Sequence, residues 1–235
     1  MRRYDPNLKK KIVPSLIILL AAALLLYVLF ILFAGPKISP NKLLTEAIQN
    51  TVSSKTFHYR MEIKTSRQSF LSVVEGERIS PDRMHIKGNM FNTPVEFIQI
   101  GAQAYMKDIW TDKWIALKSN SLGQASTFIE ELGPVNFLSY GSLLDVHYTG
   151  TEKINGKKMS VIEFNPQLVG SFSGQKYQGY HCKIWVDQKE RLIGQVVLNA
   201  ALKDSDLPTV TLNLWGFGQT VSINPPSADY LLNPS

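Results

Sequence analysis

From Thr56 onward the chain alternates apolar and polar residues, and that period of two constrains its fold more than any other feature. In Thr56–Lys64, Phe57, Tyr59, Met61 and Ile63 fall on one side, and His58, Arg60, Glu62 and Lys64 on the other. Successive side chains of a strand point to opposite faces, so the segment reads as a strand with one apolar and one wet face. The same pattern predicts strands at residues 69–79, at 83–87 through Met84 and Ile86, and at 94–100, 102–107 and 114–118. Ser80-Pro81-Asp82, Gly101 and residues 108–113 supply the turns between them. Alternation resumes at 143–152, 158–165, Tyr180–Asp187, 191–202 and Thr209–Trp215, with a last short strand expected at 220–223. Asn155-Gly156 is a strong type I′ hairpin signal. The result is about eleven antiparallel strands, a sheet large enough to curl and obliged to bury its apolar face.

Helices are few. Leu43, Leu44, Ala47, Ile48 and Val52 recur at three-to-four spacing behind a cap at Ser39 or Asn41, which predicts an amphipathic helix ending near Ser53-Ser54. Phe128, Ile129 and Leu132 predict a short helix over 125–132, broken at Gly133-Pro134, and 135–140 makes a further helical turn. The Gly/Ser/Gln-rich stretch 167–179 reads as a loop. The expected fold class is α+β: one strongly curved antiparallel half-barrel with helices on its concave face. Helices that fill a concavity incompletely leave an apolar pocket, the usual form of a small-molecule site. Candidates to line it are Phe57, Tyr59, Met61, Met84, Ile86, Met106, Ile184 and Val196 from the strands, and Phe128, Ile129 and Leu132 from the inserted helix. Methionine adapts readily to flexible chains.

Residues 12–34, IVPSLIILLAAALLLYVLFILFA, carry no charge, and a helix needs about 20 apolar residues to cross a bilayer core. Arg2, Arg3, Lys9, Lys10 and Lys11 precede this run against Asp5 alone, which keeps that end in the cytoplasm. A cleaved signal peptide is the alternative. Its apolar region is roughly 7–15 residues and ends in small residues, whereas here the run is longer and Phe33 and Pro36 flank its end. The expectation is a single-pass cell-membrane protein: a basic cytoplasmic segment (1–11), a transmembrane anchor (12–34), a tether (35–40) and an extracytoplasmic domain (41–235).

The same basic cluster accounts for +4 of the net charge of +6, so the basicity is a topology signal. No Lys/Arg stripe with interleaved aromatics marks a nucleic-acid surface. The single cysteine, Cys182, falls on the apolar side of its strand and reads as an inert core thiol. His58, His85, His147 and His181 are scattered, with no metal-ligand spacing. Gly170-Ser171-Phe172-Ser173-Gly174 places phenylalanine where a nucleophile elbow needs serine, and Gly216-Phe217-Gly218 lacks the third glycine of a dinucleotide loop. Neither catalysis, a metal nor a cofactor is expected.

A resemblance is carried by the order of several short signals. They are Ile79-Ser80-Pro81-Asp82-Arg83-Met84, Gly101-Ala102-Gln103-Ala104-Tyr105-Met106-Lys107-Asp108 and Lys113-Trp114-Ile115-Ala116-Leu117. Then come Tyr148-Thr149-Gly150-Thr151-Glu152-Lys153-Ile154-Asn155-Gly156-Lys157, Lys183-Ile184-Trp185-Val186-Asp187 and Trp215-Gly216-Phe217-Gly218 leading to Asn224-Pro225-Pro226. Over residues 39–226 this succession resembles the LolA/LppX-like superfamily of extracytoplasmic lipid-carrier and lipoprotein domains. The resemblance implies a half-open curved sheet whose concave side holds helices and an apolar cavity for acyl chains. It also implies a lipid or acylated ligand, held for local transfer or presentation because a peptide anchor replaces the soluble or acylated forms of the family. The alternative is an envelope sensor or protein-interaction domain whose cavity is filled by its own side chains, with an envelope protein as partner.

Overall fold

The computed structural model describes residues 23–27, 38–64, 72–117, 133–168, 180–200 and 209–232. The chain divides into two compact units, Met1–Ser39 and Pro40–Ser235. In the first unit residues 23–27 are helical, with Leu24, Leu25, Leu26 and Tyr27 exposed. The rest of the expected anchor lies outside the described residues, among which no helix is long and apolar enough to cross a membrane.

In the second unit eleven antiparallel strands form one curved sheet that does not close into a barrel. Six make a first meander: β1 (Thr56–Lys64), β2 (Ser72–Ile79), β3 (Arg83–Met90), β4 (Thr93–Ile100), β5 (Gln103–Lys107) and β6 (Trp114–Leu117). Five make a second: β7 (Tyr140–Ile154), β8 (Lys157–Leu168), β9 (Tyr180–Asp187), β10 (Leu192–Ala200) and β11 (Thr209–Trp215). The meanders join in the middle of the sheet, where residues 58–64 of β1 pair with 209–215 of β11. This leaves β6 and β7 as the two edges. Local pairing sets each meander, and one long-range pairing fuses them.

Exposed strand edges invite further pairing, and each edge is managed differently. Beside β6 the chain end runs parallel to it, bridging Trp114 to Leu231, with the Leu232 amide donating to the Trp114 carbonyl at 2.8 Å. β7 instead breaks its register three times, at Tyr140/Ser142, Leu144/His147 and Tyr148/Gly150, and places Asp145 at φ 55°. Such bulges twist an edge away from a flat partner.

α1 (Pro40–Ser53) packs mainly on β7, β9 and β10. It buries Leu43, Leu44 and Ala47, each leucine worth about 1.5–3 kcal/mol. Its last turn is tied to the sheet by polar contacts. The buried Thr51 hydroxyl accepts the Ile193 amide at 3.0 Å, at the bulge between Ile193 and Gln195. Arg78 donates to the Val52 carbonyl at 3.5 Å, where a cation favours a helix C-terminus, and Arg191 pairs with Glu46 in mid-helix.

The predicted hairpin at Asn155-Gly156 is present, with φ 49° and 80°, the left-handed pair that a type I′ turn requires. A second two-residue turn of the same kind, Phe91-Asn92 (φ 47° and 63°), extends β3 and β4 beyond their expected ends. The helical turn expected at 135–140 is α2 (Pro134–Phe137), and β7 starts at Tyr140, three residues before its expected first residue. No strand forms at 220–223. That segment is held by side chains in place of a ladder: the Thr56 hydroxyl donates to the Gln219 carbonyl at 2.7 Å, Arg83 to the Ile223 carbonyl at 3.4 Å, and Ile223 is buried. The expected helix at 125–132 lies outside the described residues.

Candidate functional site

Because side chains alternate along every strand, register decides which apolar residues meet. Tyr59 sits between Gly76 of β2 and Leu214 of β11, and Met61 between Val74 and Leu212. The row continues from Leu212 to Val196, Ile184, Ile162 and Tyr148. In the other direction Gly76 pairs with Ile86, Ile86 with Phe97, Phe97 with Met106, and Met106 with Ile115. Phe57, Tyr59, Met61, Met84, Ile86, Met106, Ile184 and Val196 therefore share one face, the face that α1 covers over β9 and β10. Phe128, Ile129 and Leu132 lie outside the described residues.

Burial on this face is graded. Phe57, Tyr59, Met61, Ile184 and Val196 are fully buried, and Ile86 nearly so. Met84, Met106 and Ile115, toward the β6 edge, keep partial exposure. Tyr59 owes its place to Gly76: a Cβ there would lie 2.5 Å from the phenol ring, so only glycine lets the ring lie flat on β2. The Tyr59 hydroxyl meets the Met84 sulfur at 3.5 Å, and burial pushes its ionisation far up. One end of the face is closed by Phe57, which Phe217 contacts with ring centroids 5.7 Å apart. The Arg78 guanidinium lies 5.7 Å from the Phe57 ring centroid, and desolvation lowers its pKa. This face offers apolar contact and a thioether-rich margin.

Sequence reasoning missed a second feature. Three turns at one end of the sheet border an open pocket of about 430 Å³: the Asn155–Lys157 hairpin, the Asp187–Glu190 turn and the Trp215–Gln219 segment. Its back wall is Ile193, Leu214 and Phe217. Lys157 spans the rim, 3.8 Å from Asp187 and 3.5 Å from Glu190, so its charges are largely compensated. The only sequence signal was the glycine pair around Phe217, which reads as a failed phosphate loop.

Among the described residues no three His, Cys, Asp or Glu side chains gather as a metal site. The Cys182 thiol is buried, and desolvation pushes it up to about 12 despite the Tyr140 hydroxyl 3.7 Å away. A thiol so placed supplies no thiolate near neutrality.

No protein-family model matches the chain, and neither does any curated protein sequence. Solved structures do match. The lipoprotein LppX of Mycobacterium tuberculosis aligns at 17% identity and TM-score 0.56, over 77% of this chain and 98% of that one. LprF of Mycobacterium bovis aligns at 14% identity and TM-score 0.57, over 80% and 97%. A LolA-superfamily protein from Nitrosomonas europaea covers 83% of this chain and all of its own length at 12% identity, but its TM-score of 0.35 is too low to add support. The chain thus has the LppX-like fold.

Proposed function

We propose, from the fold shared with LppX and LprF, that this chain is a membrane-anchored extracytoplasmic domain that holds a lipid or acylated ligand. The ligand's chains lie in an apolar cavity between the concave face of the sheet and the helices, for local transfer or presentation. The observation that carries the reading is the partly exposed margin of the apolar face, Met84, Met106 and Ile115, continuous with the buried row through Ile86 and Tyr59. Methionine-rich apolar surface accommodates flexible chains of varied shape. The activity is binding without chemistry. The uncharged run at 12–34 and the basic residues before it support anchoring with the N-terminus in the cytoplasm.

The test is native mass spectrometry and solvent extraction of the full-length chain purified in mild detergent. Acyl species should co-purify, and Met106→Trp should deplete them without lowering the unfolding midpoint. Wild-type lipid content in that variant would overturn the site. A second reading is favoured by the full burial of Phe57, Tyr59 and Met61. A core already filled by its own side chains suits an envelope sensor or interaction domain, and a wild-type chain free of acyl species would establish it.

A further inference from the structure

Two hairpin tips at one end of the first meander display large apolar side chains to solvent. Phe91, in the β3–β4 turn, is 67% exposed; Ile109 and Trp110, in the β5–β6 loop, are 48% and 87% exposed. The tips lie at the same end of the sheet: β4 and β5 are paired antiparallel through Phe97 and Met106, so the start of β4 and the end of β5 point the same way. The two hairpins are neighbours in the sheet, roughly 10 Å apart at two strand spacings.

The β5–β6 loop is braced by its own polar contacts. The Asp108 carboxylate accepts the Thr111 amide at 3.0 Å and the Thr111 hydroxyl at 2.5 Å. The Asp108 amide donates to the Lys113 carbonyl at 2.8 Å, and Lys107 pairs with Asp112 at 2.7 Å. Polar groups of the loop are therefore satisfied internally, which lowers the cost of withdrawing it from water. At the other tip a bulky Phe91 occupies a left-handed position (φ 47°) that Asn or Gly fills without strain. Neither local stability nor packing accounts for an exposed aromatic there.

We infer that Phe91, Ile109 and Trp110 insert together into the interface of a lipid bilayer and orient the domain on it. Tryptophan favours that layer, where its apolar ring and its indole N–H are both accommodated, and phenylalanine and isoleucine enter it as apolar side chains. Charge points to an electrically neutral surface, because Lys107 and Lys113 are balanced by Asp108 and Asp112. Area argues against a protein occupant: three side chains on two tips present a few hundred Å², well below the roughly 800 Å² per partner of a stable complex. The choice of a bilayer rests on the membrane-anchored reading above, in which a tether of a few residues keeps the domain within reach of lipid.

Full-length protein in phosphatidylcholine vesicles tests this. An environment-sensitive fluorophore is attached at Asn92→Cys, beside Phe91, or at Ala102→Cys, in the turn at the opposite end of β4. The buried Cys182 stays unlabelled. Nitroxide lipids should quench the first label several-fold more than the second, with little dependence on salt. Replacing Phe91, Ile109 and Trp110 by serine should abolish the difference. Equal quenching of both labels would overturn the inference. So would shielding of the Asn92 label that needs no lipid and grows with protein concentration, the mark of a second copy. Alkaline washing reads the anchor separately: release would overturn anchoring, while the contrast between the two labels on added vesicles still decides the tips.

Discussion

The two meanders solve the problem of a two-faced sheet differently. On the face opposite the apolar row, β1–β5 carry ion pairs. Arg60 bridges Glu62 at 2.9 Å and Glu75 at 2.5 Å, and Glu96 meets His85 at 3.0 Å and Lys107 at 3.5 Å. On the corresponding face of β7–β10, Met159, Val161 and Trp185 are buried together, with Ile154 and Val197 against them. A charged lid covers this second core: the Lys183 ammonium lies 4.8 Å from the Trp185 ring centroid, and the Trp185 indole donates to Glu152 at 2.8 Å. Among the described residues the first meander thus carries mainly ion pairs on that face, with Ile98 buried among them, whereas the second buries an apolar cluster on both faces. Burial along β1 alternates from Phe57 onward, whereas Ile184, Trp185 and Val186 are buried in succession. A strand buried on both sides reads as a continuous apolar run.

Substitutions sharpen this contrast, and urea unfolding midpoints measure it. Tyr59→Ala, in the row common to both meanders, should have the largest effect, about 3–5 kcal/mol. Trp185→Ala should follow at about 3 kcal/mol, because the second core loses its largest member. A loss no greater than that of a surface residue would break the comparison. Gly76→Ala should lose about 1–3 kcal/mol by forcing the Tyr59 ring off β2. Arg60→Ala, at the matching position on the wet face, should lose less than about 1 kcal/mol, since exposed ion pairs contribute little.

The smallest effect is in pH dependence. Glu62 titrates below the ordinary glutamate range chiefly because Arg60 donates to it, and Glu152 chiefly because the Trp185 indole does, with Lys183 second. A carboxylate more acidic when folded adds stability above its unfolded pKa of about 4.3, and that stability is lost as pH falls below it. Arg60→Ala should flatten the acid limb of the stability profile through Glu62, and Trp185→Phe through Glu152. An unchanged slope in either variant would count against that contact.

Much of the candidate site was legible because its residues obey a local rule. Phe57, Tyr59 and Met61 share a face by alternation within β1, and the pairing register then adds Met84, Ile86, Met106, Ile184 and Val196 to it. Which of them stay accessible was not legible, since Tyr59 and Met84 have the same alternation and differ only in what packs on them. The Phe91-Asn92 turn was hidden because phenylalanine is a poor marker of left-handed backbone, whereas Asn155-Gly156 announced the same turn plainly. No strand forms at 220–223, and the segment is instead flanked by contacts from residues remote in sequence, Thr56 to the Gln219 carbonyl and Arg83 to the Ile223 carbonyl.

By itself, then, the sequence determined the period of two, the turn chemistry at Asn155-Gly156 and the amphipathic α1, all consequences of backbone geometry within a few residues. Tertiary structure alone decided that β1 joins β11, that a second core forms under Trp185, and that three turns border a pocket. Each of those unites residues far apart in the chain, and contacts of that kind depend on how the whole sheet curves and pairs, not on any local period.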